Sequence, residues 1–152
     1  MKGGSVAVAL AVAMLAAGCG SKGSTVAPDA CLLPPGAWLE ALDAAPNPVR
    51  LDGQTAISEC FTGTEDPGVG QTAIKAATLL NAEARREAGG PATVSLGYLD
   101  GAVHEGTSHV PSEADLVRRV DAAARFSPDG GSPGAAFERA FGKGYAAGQA
   151  TG

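Results

Sequence analysis

The stretch Thr93–Gly106, TVSLGYLDGAVHEG, decides the fold class. Val94, Leu96 and Tyr98 alternate as in a strand, while Leu96, Leu99, Ala102 and Val103 keep the spacing of one helical face. Gly97 and Gly101 weaken both patterns, because glycine is poor in either element. On a helix, however, four residues apart places them on one side, where they form a notch that a second helix can enter. The helical reading is therefore preferred. It makes the folded part all-α, a small helical bundle, with a short hairpin as the one departure considered below.

The clearest partner lies at the end of the chain. From Ala135 to Ala147, Phe137, Ala140, Phe141, Gly144, Tyr145 and Gly148 make a single stripe. Ser132-Pro133 before it suit a cap and a first turn. Its aromatic residues are the expected core anchors, and a partner-binding groove is the alternative use of the same stripe. Ser112-Glu113-Ala114-Asp115 resembles a capping box and opens a helix through Arg125, with Leu116, Val117, Val120 and Ala124 inward. Asp115–Arg119 and Asp121–Arg125 are spaced for pairs within that helix, worth about 0.3–0.5 kcal/mol each.

Towards the N-terminus, Gln71–Ala88 is the longest helical run, with Arg85 and Arg86 in its last turn and Gly89-Gly90-Pro91 as its stop. Residues 62–70 read as a loop. Pro34-Pro35 open a shorter helix whose inner face is Trp38, Ala41, Leu42 and Ala45, and Pro46 ends it. Between the two, Asp52-Gly53 signals a small hairpin. The preferred alternative has Thr55 capping a short helix that turns Ile57, Cys60 and Phe61 inward.

The first nineteen residues set the address. Lys2 precedes an apolar run, Val6 to Ala17, and small residues lead to Cys19. These are the parts of an export signal. Twelve residues of helix cover about 18 Å, too little for a hydrocarbon core of about 30 Å. Leu15-Ala16-Ala17-Gly18-Cys19 resembles the lipobox of bacterial lipoproteins, although Leu is usual where Ala16 stands. The resemblance implies cleavage before Cys19 and acylation of that cysteine, hence membrane attachment through the lipid. Secretion without an anchor is the alternative. On this reading residues 1–18 are the signal peptide, 19–30 a flexible tether rich in Gly and Ser, and 31–152 an extracytoplasmic domain.

With Cys19 acylated, Cys31 and Cys60 are left to form a disulfide, as an oxidising compartment favours. Closing a loop of that length is worth about 3.5 kcal/mol in the chain-entropy account. A redox or metal pair fits poorly, since no Cys-x-x-Cys is present. After signal removal ten basic residues face sixteen acidic ones. That balance gives no reason to expect nucleic acid as a partner. Aromatic residues make up 5 % of the chain, so the core has few large anchors.

Catalytic motifs are sparse. His104-Glu105-Gly106-Thr107-Ser108-His109 is the cluster that metal or acid–base chemistry would use. It is one residue too long for the His-Glu-x-x-His zinc helix, and five residues of helix turn the two imidazoles about 140° apart. The glycine and hydroxyl residues suggest a solvent-facing loop. Tyr98 and Asp100 nearby are too little to nominate a nucleophile and base. Gly68-Val69-Gly70-Gln71-Thr72 precedes a helix but lacks the lysine and spacing of a phosphate loop. Parts of the mature chain, Leu116–Phe126 and Phe137–Ala147, look like helical exported domains of uncharacterised bacterial proteins, a resemblance that implies no activity. The expected function is that of a non-enzymatic, lipid-anchored envelope protein that binds another envelope protein, a ligand or the cell wall. No catalytic residue, metal ligand or cofactor is assigned. A small metal-dependent or hydrolase-like enzyme using His104, Glu105 and His109 is the alternative.

Overall fold

The computed structural model describes residues 26–63 and 66–152. The signal peptide, Cys19 and most of the expected tether lie outside the described residues. Among those described, the architecture is all-α: five helices joined by short 3-10 turns.

The deciding stretch is a helix, α3 (Pro91–Thr107), opened by proline in its first turn. It is the central element and packs against the long C-terminal helix α5 (Ala135–Thr151) over most of its length. The glycine notch makes that possible, and it is reciprocal. A Cβ added at Gly97 or Gly101 would fall on the carbonyl oxygens of Phe141 and Tyr145. One added at Gly144 or Gly148 would fall on those of Val94 and Tyr98. Each helix thus carries two glycines four residues apart that receive the backbone of the other. Small residues at this spacing permit close helix approach in any solvent, and the gain in packing offsets about 1 kcal/mol of helix propensity lost per glycine.

The remaining helices surround this pair. α1 (Pro35–Leu42) buries Trp38 and Leu42, and the Ser95 hydroxyl of α3 donates to the Leu42 carbonyl at its end, at 2.8 Å. α2 (Pro67–Ala84) buries a row of small residues, Ala73, Ala76, Ala77 and Ala84. α4 (Ala114–Ala124) turns Val120 and Ala124 inward. Asn81 of α2 donates to the Ala123 and Phe126 carbonyls at 2.9 and 2.8 Å, satisfying the end of α4.

The disulfide forms between Cys31 and Cys60, with Cα atoms 5.5 Å apart. Both cysteines are fully buried, as are Trp38 and Ile57, while Phe61 meets the edge of Trp38. Ala27 and Ala30 already belong to the core, and a 3-10 turn, Asp29–Leu32, carries Cys31. Packing therefore begins within the segment expected to be tether.

Other local expectations are revised. α2 starts at Pro67 rather than Gln71, because Asp66 accepts from the Gly68 amide at 2.8 Å and Pro67 fills the first turn. Its end comes at Ala84, so Arg85 and Arg86 follow the helix. The Asp52-Gly53 turn exists, with positive φ at both residues, but the hairpin shrinks to one bridge, Leu51 to Thr55. Thr55 belongs to that bridge and caps nothing. The helix expected after it is a single 3-10 turn, Ser58–Phe61, which still turns Cys60 and Phe61 inward. A 3-10 turn, Pro111–Glu113, replaces the capping box, and no side chain caps α4.

Candidate functional site

Two faces of α3 have different chemistry. The glycine face meets α5. Beside it, Asp100 and His104, one helical turn apart, look towards α4. Asp121 comes from α4 and Arg125, four residues on, from just past its end, and Glu138, Phe141, Gly142 and Tyr145 come from α5. Together these eight residues line a recess of about 370 Å³.

The His104 Nε2 lies 2.8 Å from the Asp121 Oδ1. The His104 ring meets the Tyr145 ring edge-on, with centroids 5.4 Å apart. Arg125 lies over the Phe141 ring at 4.7 Å and donates to Glu138 at 3.2 Å. The deepest member is Asp100, 3 % exposed, whose Oδ1 has no hydrogen-bond partner. Burial, then the neighbouring Asp121 carboxylate, push the Asp100 carboxyl up to about 7. His104 and Arg125 oppose that shift. Burial and the same two carboxylates also push the Tyr145 phenol up. In chemical terms the pair Asp100–Asp121 holds a proton at far higher pH than an isolated carboxyl would. The donor atoms of Asp100, His104 and Asp121 lie within 4.8 Å of one another, close enough to share one cation.

The residues that the alternative, enzymatic reading would use together do not meet. His104 sits inside the last turns of α3, half-buried, rather than on a solvent-facing loop. Glu105 and His109 line a different recess, with Ser58 and Thr62. Tyr98 also leaves Asp100. Its hydroxyl accepts from the Val49 amide at 3.0 Å and pairs with the Thr151 hydroxyl at 2.9 Å, on the side of α3 away from α4. Gly68 and Gly70 are absorbed into the first turn of α2, and Gly70 packs near Leu116. Phe137 and Phe141 are 4 % and 2 % exposed and serve as core anchors, while Phe141 and the part-exposed Tyr145 also line the recess.

Asp121 is the residue that sequence reasoning misplaced. Its expected partner, Arg125, turns to Glu138, and Asp121 reaches across to His104. Asp115 likewise pairs with Arg118 rather than Arg119. The Asp100–His104 spacing was a usable signal once Thr93–Gly106 is taken as a helix.

No family model, no curated protein and no solved structure gives a significant match to this chain.

Proposed function

We propose that this chain is an exported protein, attached through lipidated Cys19 to the outer side of a membrane, with residues 31–152 as a non-enzymatic binding module. The observation that carries the reading is the buried Cys31–Cys60 disulfide following a lipobox-like segment. A disulfide in the core belongs to an oxidising compartment, and the signal-like N-terminus supplies a route to one. No described helix is long and apolar enough to cross a membrane, so on this reading attachment falls to the lipid. The partner proposed is an envelope protein or cell-wall component. The acidic balance of charge argues for neither nucleic acid nor anionic headgroups.

Fractionation tests the address. Full-length protein is expected in the membrane fraction with diacylglycerol on Cys19, and Cys19→Ser is expected to lose the lipid and the membrane. A mature N-terminus elsewhere, or a wild-type chain free in the medium, rejects the anchor. Crosslinking in intact cells then identifies what the domain touches.

A further inference from the structure

We propose that Asp100, His104 and Asp121 form a binding site for a divalent first-row transition cation, zinc above all, with three protein ligands and a fourth position open to the recess. Four observations carry it. First, the donors converge: three ligand atoms from two helices lie within 4.8 Å of one another. A tetrahedral zinc at about 2.0–2.1 Å from each ligand sets them roughly 3.3 Å apart. The Nε2 of His104 and Oδ1 of Asp121, now 2.8 Å apart, need open by only about half an ångström. Asp121 is part exposed and has the room to do so.

Second, Asp100 offers a carboxylate oxygen that has no partner, on a side chain 3 % exposed that lines the recess. Buried polar atoms are ordinarily satisfied, so an orphaned one on a residue that lines the recess calls for a partner. Third, the recess is rich in carboxyl groups. Asp100, Asp121 and Glu138 face a single permanent cation, Arg125, and that guanidinium is already held by Glu138 and the Phe141 face. With all three carboxyls ionised, a divalent ion would balance the charge. Fourth, the recess has free space for a further ligand. Gly142 lines it, and a side chain there would meet empty space.

The donor set selects the ion. One imidazole and two carboxylates suit zinc, and cobalt, nickel or iron after it. Calcium takes six to eight oxygens, and magnesium keeps several waters, so neither matches three mixed donors. The open position would hold water or a single anionic group from a ligand. The site is independent of the lipid anchor and holds whether or not Cys19 is acylated.

The test is titration of the untagged, oxidised full chain with zinc alone by calorimetry, and with cobalt(II) alone by visible absorption. One equivalent of each is expected to bind, with cobalt bands of a low-coordinate nitrogen–oxygen site. His104→Ala and Asp121→Asn, both at part-exposed positions, are expected to weaken zinc at least tenfold while keeping wild-type circular dichroism. Glu105→Gln with His109→Ala is the control and is expected to bind as wild type does. Absence of binding, equal affinity in His104→Ala and Asp121→Asn, or loss of binding in the control would each overturn the proposal. So would carboxyl NMR titrations of Asp100 that are unchanged by equimolar zinc, which would leave a proton as the occupant.

Discussion

Two of the interfaces that helix α3 makes differ in every respect. Towards α5 it removes side chains: Gly97 and Gly101 face the backbone of the partner, and Gly144 and Gly148 return the arrangement. Towards α4 it places Asp100 and His104, and a recess of about 370 Å³ remains. The first contact is made by backbone against backbone and has no freedom to adjust. The second is made by titratable side chains and holds space for an occupant. One helix thus separates stability from chemistry by a rotation of its surface.

The sharpest way to break this contrast is to put a methyl group where the first interface has none. Gly97→Ala or Gly144→Ala sets a Cβ against a carbonyl oxygen, which cannot move as a rotamer can. A loss of about 3 kcal/mol or more is expected in urea denaturation. Gly142→Ala, on the recess side of α5, meets nothing within 4 Å. It is expected to gain about 0.5–1 kcal/mol from helix propensity. Similar losses for Gly144→Ala and Gly142→Ala would mean that the notch is not what holds the helices.

Comparable in size is the disulfide, which lies outside both interfaces. Replacing Cys31 and Cys60 by serine is expected to cost about 3.5 kcal/mol through the unfolded chain. The pH dependence around Asp100 should be left intact. A denaturation series across pH in both backgrounds reads both effects.

The second interface should show itself through pH. In the metal-free protein, Asp100 binds its proton more tightly folded, up to about 7, than unfolded, near 3.8. Its protonated form favours the folded state, so this contribution is fully present below about pH 4 and is lost as pH rises through 7. Burial sets it first, then Asp121 from α4, with His104 on the same helix and Arg125 just past the end of α4 opposing; Glu138 and Tyr145 from α5 face the same recess. Stability should therefore fall between pH 4 and 7, by an amount on the order of a few kcal/mol at most. Asp100→Asn is expected to flatten that slope. An unchanged slope in the variant would assign it elsewhere.

The two interfaces were also unequally legible. Gly97 and Gly101 at helical spacing announced a close approach, and Gly144 and Gly148 stood in the stripe of the partner helix. Local pattern and tertiary contact agreed there, because a notch has no competing local use. Asp121 had one. An acid four residues before an arginine satisfies a helix rule, but an exposed pair of that kind is worth a few tenths of a kcal/mol. A half-buried imidazole from α3 and a carboxylate from α5 compete easily with it. The start of α2 was written in Asp66-Pro67, a cap followed by a first-turn proline, but the glycines after it read as loop. His109 and Glu105 fell apart from His104 because the helix persists to Thr107 and fans them round its axis.

The glycine-backed packing also has a consequence in time. Eleven of the seventeen residues of α3 are buried, against two of eleven in α4. Amide exchange follows burial and local contact density, so α4 should open and reclose many times for each opening of α3. One wall of the recess, α3, therefore belongs to the slowest-exchanging part of the protein, and the α4 wall to a faster one. Whatever enters beside Asp100 does so on the schedule of α4, and an occupant that bridges Asp121 to His104 would slow that schedule to the pace of the core.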